Sequence, residues 1–499
     1  GGPSVAPDGH APSAHYRGES LTVRTSTRLT SFYTTVVSSA RVPVLLAALA
    51  GLTVAGCAVK TTPPAAGVHQ GPLPGWDAST YSSQPYDPTW WRQLDDSVLE
   101  QLEAAALAAN QDVRSAIARR DEARAIFDED KLDRYPKITT DASVDVRDQV
   151  IPGFTDKPLR VDTYRAGFDA FWEVDLFGRV RAEVAAASAN AESFEAALSA
   201  IRVSVAADVA GNYFELRGLQ QQLSVLDRSL TNQRETLRLT TVRRDAGVGE
   251  EQDVASATAR VSAIEAERPP IVTALAAHEH RLAVLTGVAP GQLTIDLAPR
   301  AYPVLAKTIA LGPPEELLNR RPDVRSAERH LASVAATEGV ATADLYPHIT
   351  ITGVLGLLAG RGSLFGTSDS RAWAVTPALQ WSAFDIGSAR ARVRGAHAAT
   401  EEALADYEKA MLVALEETDT ALVAYKQNQE RLVKLTDEVR ESARAANLAR
   451  ARYREGVADF LSLLDAERTQ LQAEGGAAQA ESDVFVAFVS LYRAVGGLK

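Results

Sequence analysis

Residues 164–174 read Tyr164-Arg165-Ala166-Gly167-Phe168-Asp169-Ala170-Phe171-Trp172-Glu173-Val174. Tyr164, Ala166, Phe168, Ala170, Trp172 and Val174 form one alternating set, and Arg165, Asp169 and Glu173 fall in the other. Successive side chains of a strand point to opposite faces, so this stretch predicts a strand with one apolar and one charged face. A partner precedes it, in which Ile138, Thr140, Ala142, Val144 and Val146 alternate with Thr139, Asp141, Ser143, Asp145 and Arg147. Together they predict a β-hairpin over residues 137–175. Strands of about ten residues with an apolar outer face, terminal aromatics and a polar inner face suit a membrane barrel. A soluble sheet resting on a helical core has the same alternation.

The hairpin is the centre of a unit that occurs twice. Trp172 and Trp381 are 209 positions apart, and so are Gly178 and Gly387, Gly247 and Gly456, and Gly287 and Gly496. Leu223/Leu432 and Leu226/Leu435 keep the same step, while Tyr135-Pro136 and Tyr346-Pro347 are 211 apart. One register held over such a distance identifies a tandem duplication. Residues 97–312 form the first repeat and 313–499 the second.

In each repeat a helix ends at Tyr-Pro, over 97–134 and 323–345, because proline disfavours a helical residue before it. Pro322 suits the first turn of the second of these helices, and Asp323 its positive end. Strands follow, weaker in the second hairpin (348–383), with Ile349, Ile351, Leu355 and Leu357, then Trp373, Val375, Leu379 and Trp381. Long helices come next, over 179–246 and 388–455, each about 100 Å if continuous. Ala403, Tyr407, Ala410, Ala414, Ala421, Tyr425, Leu432, Leu435, Val439 and Ala446 mark a coiled-coil seam on the second. The chain then turns at Gly247-Val248 or Gly456-Val457 and returns as helices 251–286 and 458–495. Pro269-Pro270 predicts a bend in the first return helix, and Gly475-Gly476 lies near the matching place in the second. The fold class is mainly α with a β part, transmembrane if the apolar face of its strands meets lipid. Four strands cannot close a barrel, for which about eight are needed, and open edges are not tolerated in lipid. A trimer sharing twelve strands satisfies both.

The net charge is −12, which argues against a nucleic-acid partner. No apolar run outside the N-terminal region is long enough for a bilayer-spanning helix. The only cysteine, Cys57, ends the stretch Val42–Gly56, an apolar run after Arg41 that closes in small residues. That is the layout of a secretory signal, and Val54-Ala55-Gly56-Cys57 resembles the bacterial lipobox, in which the thiol carries lipid. Residues 1–56 are therefore an N-terminal extension and signal, with 1–40 expected to be removed or to be an over-extension of the gene. Residues 57–96 hold the lipid anchor and an extended tether rich in Pro, Gly, Ser and Thr. Ala58 after the cysteine resembles an outer-membrane rather than an inner-membrane address.

Trp90-Trp91 with Leu99 and Leu102, Trp172 with Phe177-Gly178, and Leu318-Asn319-Arg320-Arg321-Pro322-Asp323-Val324-Arg325 carry a specific resemblance. The chain resembles the TolC-type outer-membrane efflux proteins, in the acylated (OprM/NodT-like) subfamily that works with resistance–nodulation–division pumps. The resemblance covers Cys57 to Lys499. It implies a homotrimer with a twelve-stranded barrel, a periplasmic helical barrel, and an equatorial belt from 287–316 and the chain ends. It also implies a periplasmic adaptor, an inner-membrane pump and outer-membrane lipid as partners, and no cofactor beyond the lipid on Cys57. Gly247, Val248, Gly456 and Val457 match the tips that meet the adaptor; plain helix reversal requires the same glycines. Leu461, Asp465 and Arg468 share a helix face and match the constriction residues of the subfamily, with Arg468 placed to pair across subunits. Tyr453 matches the gate tyrosine, and Asp253 the acidic position of the other repeat. Ser462 departs from relatives that carry an aspartate there.

His278-Glu279-His280 does not place both imidazoles on one helix face, and a solvated surface accounts for it better than a metal. There is no phosphate loop, nucleophile elbow or Cys–His pair, so no enzymatic activity is expected. A duct for protein secretion and a lipid-tethered coiled-coil scaffold are the competing readings.

Overall fold

The computed structural model describes residues 59, 62–68, 71, 73–150, 152–153 and 156–496. Cys57, the signal and the N-terminal extension lie outside the described residues. Four antiparallel strands form one open sheet in the order β2-β3-β5-β6: β2 (Lys137–Gln149), β3 (Leu159–Val174), β5 (His348–Ala359) and β6 (Arg371–Gln380). Two-residue strands β1 (Tyr81–Ser82) and β4 (Ile309–Ala310) pair in parallel elsewhere. In the large sheet Thr140 faces Phe168, Phe168 faces Leu355, and Leu355 faces Trp373. This register collects Ile138, Val144, Phe168, Leu355, Trp373, Val375 and Leu379 on one face, all exposed. The opposite face carries Asp141 and Asp169, both paired with Arg165, although Phe171, Val354 and Leu358 interrupt its polarity. Gly167 and Gly356 are partners in that register, and a Cβ on Gly167 would stand 2.7 Å from the Leu355 carbonyl oxygen. Strands β2 and β6 are each paired on one side only.

At the helix-side end of the sheet the two repeats use one device. Trp172 Nε1 donates to the Arg134 carbonyl at 3.2 Å, and Trp381 Nε1 donates to the Leu345 carbonyl at 3.1 Å. Each indole thus ties the end of a return strand to the end of the helix that led into its hairpin. Phe177 stacks on Tyr346 at 5.0 Å between the repeats.

The helices are α1 (Ser97–Ala109), α2 (Gln111–Leu132), α3 (Arg179–Asp245), α4 (Glu251–Leu285), α5 (Pro322–Ala343), α6 (Ile386–Arg454) and α7 (Phe460–Val495), with a one-turn helix at Leu317–Arg320. Helices α3 and α6 contain 67 and 69 residues, about 100 Å each. Helix α3 packs against α2 and α5 and against α4 and α7, while α6 packs on α5 and α7. Every predicted seam residue from Ala403 to Ala446 is buried or half-buried. None of the described helices is long and apolar enough to cross a membrane.

One helix expectation is corrected. The helix expected over 97–134 is broken at Asn110, whose backbone is extended (ψ 134°) and whose side chain accepts from the Asp112 and Val113 amides as an N-cap. Helix α4 runs through Pro269-Pro270 without interruption. Both prolines are exposed there, so water can take the carbonyls that lose helical donors.

The segment expected as an extended tether is docked along α6. The Gly67 amide donates to Glu408 and the Gly75 amide to Asp419, each at 2.6 Å. Lys426 pairs with Asp77 at 2.8 Å, and the Tyr81 hydroxyl donates to the Leu422 carbonyl at 2.6 Å. Trp90 then stacks on Tyr492 at 5.1 Å, while Tyr302 of the equatorial segment stacks on Phe485 at 4.7 Å. Arg321 of the quoted Arg-Arg-Pro-Asp run is buried, bonded to Asp323, Glu417 and the Ala494 carbonyl. That run fastens the start of α5 to the middle of α6 and the end of α7.

Glu103 of α1 is fully buried with no hydrogen-bond partner for either carboxylate oxygen. Burial pushes its pKa well above the ordinary glutamate value of 4.5. The folded chain therefore holds this proton more tightly than the unfolded chain. The resulting stability is complete below about pH 4.5 and is lost as pH rises through the folded value, by about 1.4 kcal/mol per pH unit in between. Glu103→Gln should leave thermal unfolding in detergent unchanged near pH 4 and raise the midpoint at pH 8; circular dichroism melts at the two pH values check this.

Candidate functional site at the helical tips

Each long helix ends in the same hydrogen-bonded reversal. At the first tip the Gly247 amide donates to Arg244 and the Val248 amide to Arg243, both at 2.9 Å. At the second, Gly456 donates to Tyr453 at 3.1 Å and Val457 to Arg452 at 3.0 Å. This is the Schellman pattern, and it needs the left-handed φ of 76° and 78° found at the two glycines. Another residue would cost about 1–2 kcal/mol there. The valines that follow, Val248 and Val457, are 65% and 62% exposed. Both tips therefore end in a rigid apolar knob flanked by arginines.

Helix α7 starts from Asp459, whose carboxylate accepts from the Ser462 amide at 2.7 Å. Its bonds to Ser462 hold the Asp459 carboxyl below the usual range. Ser462 thus helps start α7, and it stands beside Leu461. Leu461, Asp465 and Arg468 are all exposed and follow the one-face spacing. Arg468 donates to Asp465 at 2.7 Å within one chain. Three residues apart on an exposed helix face, the two side chains find each other first, and such a pair contributes only about 0.2–0.5 kcal/mol.

Tyr453 is buried between the tips. The Arg243 guanidinium lies 5.0 Å from its ring centre and donates to its carbonyl at 3.4 Å. The ring also packs with Phe460, Ala257 and Leu463, so Tyr453 joins the two hairpins. Asp253 is half-buried in the first turn of α4, where the helix dipole favours a negative charge. Among the described residues, no hydrogen bond or ion pair joins it to Asp465, Arg468 or Tyr453.

A second cluster escaped the sequence. Glu467, one residue before Arg468 but on the inner face of α7, is buried. Arg450 of α6 reaches it at 2.9 Å, and Gln233 of α3 donates to it at 2.7 Å. These groups and Arg228, Gln470 and Glu474 line a polar cavity of about 290 Å³. The only sequence signal was position, since Arg450 and Glu467 flank the Gly456 turn within a few helical turns.

His278 is hydrogen-bonded to Asn212 at 3.0 Å and lies 3.4 Å from Glu215. No group of three metal-ligating side chains occurs among the described residues. At the opposite end of α3, the Val59 amide donates to the Phe177 carbonyl at 3.4 Å.

Comparison with known proteins places this geometry. The family model described as "Outer membrane efflux protein" matches residues 102–288 and, separately, residues 314–497. The two matches fall on the two repeats. Outer membrane protein OprJ of Pseudomonas aeruginosa is 30% identical over 410 residues, 82% of this chain and 86% of OprJ. The solvent efflux pump outer membrane protein SrpC of Pseudomonas putida is 29% identical over 409 residues, 81% of this chain and 86% of its own. The solved structure of the outer-membrane channel OprN superimposes with a TM-score of 0.84 at 44% identity, covering 88% of this chain and 99% of that one.

The two acidic positions of α7 should respond differently to removal. Breaking a buried pair strands its partner at a cost of about 3–5 kcal/mol, whereas the exposed Asp465–Arg468 pair is worth a few tenths. Glu467→Ala should lower the denaturation midpoint clearly, and Asp465→Ala should leave it within error.

Proposed function

The chain belongs to the outer membrane efflux protein family, and from that premise we infer that it is the exit duct of a tripartite efflux pump. It sits in the outer membrane and conducts small molecules passively. The observation that carries this reading is the open four-stranded sheet, apolar on one face and charged on the other, at the end of helices about 100 Å long. A membrane leaves no unpaired strand edge. Strand β2 of one copy therefore pairs with β6 of the next, and three copies close twelve strands. Leu412, Val423, Val433 and Leu448, exposed along α6 in the single chain, are covered by neighbouring helices in that trimer.

Cys57 carries the lipid. Support comes from Val59, two residues on, bonded beside Phe177 where strands give way to helices. Trp172, Trp381, Phe177 and Tyr346 gather at that level, as aromatics do at a membrane surface. An acyl chain on Cys57 then enters the inner leaflet without stretching the docked segment.

At the far end, the knobs at Gly247-Val248 and Gly456-Val457 dock the periplasmic adaptor, which links the duct to an inner-membrane pump that supplies the energy. Around the threefold axis Leu461 forms an apolar ring and Asp465 an anionic one, each with its own Arg468 beside it. Tyr453 joins the two tips, and Asp253 adds an acidic side chain at the first. Adaptor binding spreads the tips and widens this constriction.

Single-channel recording in planar bilayers tests the reading. The purified wild-type chain should conduct in small steps, and Asp465→Ala should conduct in steps at least about twofold larger, since an anionic ring is removed from the narrowest level. A mutant conductance equal to wild type would remove Asp465 from the constriction, and a chain that never conducts would overturn the duct.

A further inference from the structure

The apolar face of the sheet is not uniform. Near its outer end, Ala166 leaves a depression walled by Phe168, Leu355, Leu357 and Trp373, a groove of about 520 Å³. The register makes the walls coherent, since Ala166 pairs with Leu357, Phe168 with Leu355, and Leu355 with Trp373. All five side chains share a face. The groove runs across all four strands of one chain, from Thr140 on β2 to Trp373 on β6, and needs no neighbour to complete it.

One charged side chain borders this groove. Arg371 opens β6 directly after the outer loop, pairs in register with Leu357 and is exposed. The ion pairs on these strands engage Arg147, Arg160 and Arg165, and no carboxylate pairs with Arg371 among the described residues. Further out on the same face, Arg160 and Asp162 satisfy each other at 3.0 Å. A guanidinium facing lipid at the headgroup level lacks an anion, and phosphate matches its planar fork. Below it, Trp373 at 78% exposure and Phe168 offer apolar walls along the direction of an acyl chain.

We propose that this groove is a seat for a phosphorylated, multiply acylated lipid of the outer leaflet, with its phosphate on Arg371 and one acyl chain over Ala166. The proposal rests on the reading that the apolar face meets the membrane. It adds a specific lipid contact to a chain whose net charge is otherwise strongly negative. Arg371 supplies the headgroup specificity, and the small side chain of Ala166 supplies the room.

Native mass spectrometry of the purified protein in detergent tests it, with three probes: bisphosphorylated hexa-acyl lipid A, the same lipid without phosphates, and phosphatidylethanolamine. The wild type should keep the phosphorylated lipid under activation that strips the other two. Arg371→Gln should reduce its occupancy about fivefold, the effect of one arginine on an anionic headgroup. Ala166→Leu, which fills the groove, should reduce occupancy with all acylated probes. Equal retention of the three probes, or equal retention by wild type and Arg371→Gln, would overturn the seat. Conductance of the same samples separates the two readings. Protein that conducts but shows no lipid preference loses the seat alone, while protein that never inserts loses both.

Discussion

The backbone edges of β2 and β6 govern the rest of the molecule. Each carries a row of amides and carbonyls with a partner on one side only, next to a face of exposed Ile138, Leu355, Trp373 and Leu379. Water could satisfy such edges, but it would not favour that face. Lipid suits the face and leaves the edges unsatisfied at several kcal/mol per group. In the proposed duct, pairing with further copies meets both demands, and the helices below the shared barrel close around the same axis.

Duplication lets one set of joints serve twice. Trp172 and Trp381 make equivalent bonds to the helices that precede their hairpins, and Gly247 and Gly456 make equivalent turns. The second copy then diverges at its tip. Asp459 caps α7 through Ser462, while α4 begins at Glu250 with no side-chain cap. The buried Glu467–Arg450 pair also belongs to the second hairpin and borrows Gln233 from the first. Rigid joints in both repeats therefore surround a tip whose exposed face, at Leu461 and Asp465, is held by little more than one solvated ion pair. In the proposed duct, the constriction at Leu461 and Asp465 would then stand where few contacts resist opening.

Much of this was legible in residue order. Period-two alternation gave both hairpins, and the constant step of 209 located the second tip from the first. These signals are periodic, so a single chain reveals them. The break at Asn110 was not legible, since Asn occurs within helices as well as at caps and only the backbone decides. Docking of Gly67, Gly75, Asp77 and Tyr81 on α6 was missed because a Pro/Gly-rich composition describes stiffness and says nothing of partners such as Glu408 and Asp419. Nothing in residue order distinguishes Glu467 from the other charges of α7, and only the approach of α3 and α6 encloses it.

The shared barrel is tested most directly by cysteine cross-linking between sheet edges. Strands β2 and β6 stand at opposite edges of the four-stranded sheet, three strand spacings or about 14 Å apart. That is beyond the roughly 7 Å limit for a disulfide, so no bond can form within one chain. Thr376→Cys on β6, combined in turn with Thr139→Cys, Asp141→Cys and Ser143→Cys on β2, samples the possible registers. At least one combination should oxidise in membranes to a covalent ladder that stops at three chains. Monomer in every combination, or a ladder that continues past three, would contradict the account.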